Sequence, residues 1–203
     1  RLDVDGTVQR IIDAAYTTDR ATAPRVNVTQ ADVTAADIGR LAGIDELARA
    51  SVSLAGSPQG FVENLLVATD RVTGAAVKPG ASFSLLASLG DVGASSGYDA
   101  IALSGGALGS AGGEAVLNGG LIHLASTAFR AAFWAGLPIE ERHCAPYRLG
   151  WLEPPIGLDA AVSADGRDLV IVNDTSAYLL GQVGIDNARG ALTWAFYGRP
   201  DGR

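Results

Sequence analysis

The stretch "NGGLIHLASTAFRAAFWAGLP", Asn118 to Pro138, decides how the chain is read. Paired glycines open it, apolar and small residues recur at helical spacing, and Gly136 and Pro138 close it. That pattern predicts a helix from Ile122 to about Ala135. At about 100° per residue, His123, Ser126, Thr127, Arg130 and Trp134 share one stripe. Ile122, Ala125, Phe129 and Phe133 form an adjacent apolar stripe, and Leu121, Leu124, Ala128 and Ala131 lie further round. His123 therefore belongs to a polar seam.

Upstream, "GFVENLLVATDRVTG" carries Phe61, Leu65, Ala68 and Val72 on one helical stripe, with Gly74 as its stop signal. "ASVSLAGS", Ala50 to Ser57, alternates like a strand and ends in a turn, and "VKPGASFSLL" is a Pro-Gly turn running into a strand. Gly90 to Gly120 reads as loops and short strands, with Tyr98 its one large polar-tipped residue. At the N-terminus, Val8, Ile11, Ile12 and Ala15 predict a short amphipathic helix. "RVNVTQADVT" suggests a strand, and Thr34 with Asp37 a capped helix that stops at Gly43. Downstream, "PIEERHCAPYRLGW" is extended. From Leu158 the pattern is strand, turn, strand through "LDAAVSA", Asp165-Gly166, "DLVIVND", "AYLLGQVGI" and "ALTWAFYG", an antiparallel meander. The class is α+β, with a small α/β unit over residues 1–50 and the main domain over 51–203.

Composition narrows the function. Of 203 residues, 48% are hydrophobic and 18% charged, a globular balance with length for one good core. No apolar run approaches the roughly 18 residues of a membrane-spanning helix. The chain starts at Arg1 without methionine or a secretory pattern, as a piece trimmed from a longer protein would, so a membrane link is expected only through a removed N-terminal anchor. The net charge of −7 and a single lysine, Lys78, argue against nucleic acid as a partner. One cysteine, Cys144, excludes an internal disulfide framework and any multi-cysteine zinc site.

Several pieces, in order, resemble the VanW family of extracytoplasmic bacterial proteins. They are Asn64 within its helix, the Lys78-Pro79-Gly80 turn with Phe83-Ser84, Gly97-Tyr98, Gly119-Gly120, and Ser126-Thr127. Ala135-Gly136-Leu137, Glu141-Arg142-His143, "EPPIGLDAAV" and "DLVIVNDTSAYLL" complete the set, so the resemblance covers roughly Ala50 to Gly198. Residues 1 to about 50 resemble the end of the peptidoglycan-binding-like module that often precedes such domains. The resemblance implies work on or near peptidoglycan, in some members L,D-transpeptidation through a cysteine acyl-enzyme. The family's helix begins Gly-Gly-Gly-Ile-Cys-Gln. Aligned on Ser126-Thr127, the cysteine position is Ile122 and the glutamine position is His123.

A cysteine there is physically sensible, because free N–H groups and the macrodipole at a helix N-terminus stabilise a thiolate. His143 is available as a base, with Asp159 or a backbone carbonyl to orient it. Ile122 has no lone pair to donate, so cysteine-based acyl transfer at that position is impossible. On an extended segment His143 and Cys144 point to opposite faces, so Cys144, read as a small semi-buried residue, is no substitute. Ser126 and Thr127 lie a turn or more into the helix, where hydroxyls bond back to carbonyls. His123 either hydrogen-bonds Thr127 or a loop, or lines a retained pocket with His143. A metal held by His123, His143 and Glu141 is the weakest reading, since two histidines at no recognisable spacing are poor evidence.

Arg142 and Arg130 are candidate clamps for the carboxylates of a wall peptide, or else internal ion pairs. Tyr98 presents its hydroxyl to the cleft or pins its glycine-rich loop. No cofactor is implied. The expectation is a cell-envelope protein that binds peptidoglycan stem peptides at a site whose nucleophile is lost, a pseudoenzyme. The alternatives are an enzyme acting through His123 and His143, and a purely structural module.

Overall fold

The computed structural model describes residues 2–26, 43–57, 59–92, 96–98, 119–144 and 157–202. Two compact units divide the chain, Arg1–Gly39 and Arg40–Arg203. The boundary expected between residues 50 and 51 falls inside a strand of the larger unit, β1 (Asp45–Ser53). The strand and helix expected after Val26, most of the glycine-rich stretch before Gly119, and 145–156 lie outside the described residues.

In the smaller unit, α1 (Val4–Ala15) forms where the periodicity placed it. Asp3 caps it, its carboxylate accepting the Gly6 N–H at 2.9 Å and pairing with Arg25. Leu2 bridges Val26.

The larger unit is α+β. A four-stranded antiparallel sheet runs in the order β1, β7, β6, β2, built from β1, β2 (Ala75–Val77), β6 (Leu179–Asp186) and β7 (Ala191–Gly198). A three-stranded antiparallel sheet runs β3, β5, β4, from β3 (Ser82–Ser84), β4 (Ile139–Glu141) and β5 (Val170–Val172). The expected C-terminal meander is thus only half realised. β6 and β7 form a hairpin, whereas β5 leaves for the second sheet, and "LDAAVSA" contributes a single bridge, Ala161 to His143. Asn173 explains the departure. Its buried amide donates to the carbonyls of Val77 and Ala177 while its oxygen accepts from Thr175, turning the chain from one sheet to the other.

α2 (Gln59–Val72) buries the predicted stripe of Phe61, Leu65, Ala68 and Val72. α3 (Leu85–Leu89) is a single capped turn after β3. α4 (Gly119–Trp134) is the predicted central helix, packed on α2, β1 and β7. Its entry demands glycine. A Cβ on Gly120 would stand 2.7 Å from the Phe61 carbonyl oxygen, so only a bare Cα lets α2 and α4 approach. Its exit is a Schellman turn: Gly136 takes φ 68°, its N–H reaches the Phe133 carbonyl, and the Leu137 N–H reaches that of Ala132. Trp194, Phe196 and Phe83 stack with ring centres about 6 Å apart in the core.

Candidate functional site

Residues 120–132 of α4 are all buried, polar ones included. A helix buried all round must satisfy its polar groups internally, and the hydrogen bonds show where those of Ser126, Thr127 and Arg130 go. The Ser126 hydroxyl donates to the Ala160 carbonyl at 3.2 Å and accepts the Ala160 N–H at 3.0 Å. Arg130, 3% exposed, donates through Nε to the Leu158 carbonyl at 2.7 Å. Burial pulls its guanidinium below the ordinary value, opposed by the Asp159 charge. Since Leu158 meets Arg130 and Ala160 meets Ser126, the 158–160 segment runs antiparallel along the helix. Two residues of the polar seam, Ser126 and Arg130, fasten that segment.

Thr127 donates back to the His123 carbonyl at 2.6 Å, the ordinary fate of a mid-helix hydroxyl. His123 is 1% exposed, with its ring edge-on to Phe61 of α2. Ile122 is 8% exposed, an apolar plug at the position where the resemblance expects a thiolate.

His143 stands elsewhere. Its Nε2 lies 2.8 Å from Glu141 Oε1, and because an ionised carboxylate only accepts, the ring nitrogen must donate. The same oxygen accepts the Asp168 N–H at 3.2 Å. The His143 contact first, then the Asp168 amide, hold the Glu141 carboxyl below its ordinary value. Between them, Arg142 turns the other way, its guanidinium 4.4 Å from the Phe129 ring centre on α4. Alternation along the extended backbone therefore sends Arg142 to α4 and His143 to the opposite face. The expected cleft shared by His123 and His143 is not assembled.

Asp159 does not orient His143. It pairs with Arg142 at 3.7 Å, while Arg142 Nε donates to the Asp159 carbonyl at 2.7 Å and Nη2 to the Gly157 carbonyl at 2.8 Å. Cys144, expected to be semi-buried, is exposed. Tyr98, 1% exposed, pins its loop: Arg71 lies 4.9 Å from its ring centre and donates to the carbonyls of Leu89, Asp91 and Ser96. Burial raises the Tyr98 hydroxyl's pKa against the opposing Arg71 charge. Among the described residues, no group of three or more His, Cys, Asp or Glu side chains is placed to hold a metal ion.

Sequence reasoning missed two features. One is Glu141 as the carboxylate on His143, although residues i and i+2 of an extended segment share a face and the spacing carried that signal. The other is Phe133 and Trp134, 54% and 49% exposed at the foot of a helix buried from Gly120 to Ala132. Periodicity gave no sign of it, since it placed Trp134 in the polar seam.

These features define a two-sheet α+β domain around a buried central helix that holds Ile122 at the position where the resemblance expects a cysteine. The chain belongs to the VanW-like family: the family model described as "VanW like protein" matches residues 61–197. No curated protein and no solved structure matches it. No helix among the described residues is long and apolar enough to cross a membrane.

Proposed function

We propose that this chain is an extracytoplasmic, cell-envelope member of its family, linked to peptidoglycan metabolism or glycopeptide response, that binds wall peptides without covalent catalysis. The observation that carries the reading is Ile122, buried at the helix start where acyl transfer through the family's cysteine would need a thiolate. Ser126 and Thr127 support it, because each hydroxyl is already committed to a backbone partner. Residues 1 to about 50, which include the compact unit Arg1–Gly39, are proposed as the end of a peptidoglycan-binding-like module.

A second reading, an enzyme acting through His143, draws on the Glu141 carboxylate, which fixes the ring so that Nδ1 is left to take a proton. Against it, Cys144 is exposed, and on an extended segment its thiol points to the face opposite His143. One experiment separates the two. Purified protein incubated with tetrapeptide stems should retain them reversibly and yield neither cross-linked dimers nor hydrolysed stems by mass spectrometry. Products that vanish in His143→Ala would establish the enzyme, and stems that fail to bind at all would remove the binding reading.

A further inference from the structure

Four successive backbone carbonyls, from Gly157 to Ala160, each accept a hydrogen bond from a side chain. Arg142 Nη2 donates to Gly157 at 2.8 Å and Arg130 Nε to Leu158 at 2.7 Å. Arg142 Nε donates to Asp159 at 2.7 Å, and the Ser126 hydroxyl to Ala160 at 3.2 Å. The Ser126 oxygen also accepts the Ala160 N–H. Among the described residues, no backbone-to-backbone hydrogen bond involves 157–160, and the next one along joins the Ala161 N–H to the His143 carbonyl. The segment is thus held by side chains acting on its main chain rather than by a strand ladder.

Arg142 shows what this arrangement replaces. Nε and Nη2 form one edge of a guanidinium, two parallel donors that match the two oxygens of a carboxylate. Here the Gly157 and Asp159 carbonyls take both. The Asp159 carboxylate stands 3.7 Å from Nη2, beyond hydrogen-bond reach, so the edge is filled by neutral acceptors. Hydrogen bonds to an ionised acceptor are roughly twice as strong, which makes a carboxylate the better occupant. The guanidinium also has a support outside the segment, the Phe129 ring 4.4 Å away. Little apolar surface opposes release. Ala160 is buried but offers one methyl, and Leu158, the larger apolar side chain, is only half-buried at the border of the core.

We propose that residues 157–160 are an internal stand-in for a peptide ligand. They form a strap over the Arg142 edge and the polar seam of α4, which a wall peptide displaces, its C-terminal carboxylate taking Arg142 Nε and Nη2. This rests on the reading of the chain as a wall-peptide binder, and adds where the peptide binds and what keeps that site closed.

The test uses the full chain with a soluble tetrapeptide stem and the same peptide as its C-terminal amide. A bound ligand ordinarily slows hydrogen exchange, whereas displacement of the strap should speed it at the Ala160 amide, by about tenfold at saturating tetrapeptide. By calorimetry the acid should bind about tenfold more tightly than the amide. Leu158→Ala and Ala160→Gly loosen the strap and keep every donor. Each should tighten the tetrapeptide severalfold, because apparent affinity rises with the fraction of molecules whose site is open. Arg142→Lys should weaken it about tenfold, since an ammonium lacks the paired edge. Slower or unchanged Ala160 exchange with tetrapeptide bound would overturn the strap while leaving the wall-peptide reading intact. Folded Leu158→Ala and Ala160→Gly proteins that bind no more tightly than wild type would overturn it as well. Equal binding of acid and amide would remove the Arg142 contact and the proposal with it. No binding of tetrapeptide to wild type or to either loosened variant would overturn both readings.

Discussion

The beginning and the end of α4 are made of similar residues and behave oppositely. From Gly120 to Ala132 every residue is buried, and histidine, serine, threonine and arginine are enclosed along with leucine and alanine. The next two residues, Phe133 and Trp134, are about half exposed. Polarity does not decide which end is exposed. The covering elements do: α2 closes over the helix start through Gly120, the 158–160 segment lies along its polar seam, and the Schellman turn at Gly136 ends the helix with its last two aromatic residues unburied. A polar residue in a catalytic-looking helix can thus be a fastener, and an aromatic residue at its end can be surface.

Three experiments would break or sharpen that contrast, starting with the largest effect. Phe129→Ala removes a core ring that touches both the exposed Phe133 and Arg142. It should cost roughly 3–5 kcal/mol by urea denaturation. A cost near that of a surface substitution would mean that the foot of the helix is not anchored to the core at all.

Ser126→Ala should follow at roughly 1–3 kcal/mol, because both the N–H and the carbonyl of Ala160 lose their buried partner. Hydrogen exchange should show faster loss of the Ala160 amide proton in the variant. Unchanged stability and exchange would return the Ser126 hydroxyl to the list of groups available for chemistry.

The smallest effect concerns Glu141, whose folded pKa is depressed from 4.5 chiefly by His143. A depressed carboxyl stabilises the folded state above its unfolded pKa, and that contribution fades as pH falls through the lower folded value. Melting temperature followed from pH 7 down to about pH 3 should therefore show a gap between wild type and His143→Gln that closes below pH 4.5. The effect is modest because the pair is well exposed to water, at 40% and 42%. A gap that widened toward low pH would show that Glu141 is held by something other than His143.

Much of the local structure was legible. The stripes of α2 and α4, the Pro-Gly turn before β3 and the β6–β7 hairpin all follow from period and turn chemistry, which act within a few residues. β5 was read as part of one meander because alternation reports that a segment is a strand but not which sheet it joins. That choice depended on Asn173 reaching Val77, a residue 96 positions away. The candidate site failed for a similar reason. His143 and His123 were grouped as available polar groups, but a face of an extended segment is assigned only when its neighbours are known. Arg142 on Phe129 and Glu141 on His143 supplied that assignment.

By itself, then, the sequence determined the central helix, its glycine entry and exit, the α+β class and the absence of a nucleophile at Ile122. These follow from residue type and short-range spacing, which tertiary contacts do not alter. Only the tertiary structure decided that the polar seam of α4 is sealed from His123 to Arg130 and that the exposed groups lie at the helix's far end. Exposure is a property of what packs on a surface, and the groups that pack here come from segments distant in the chain.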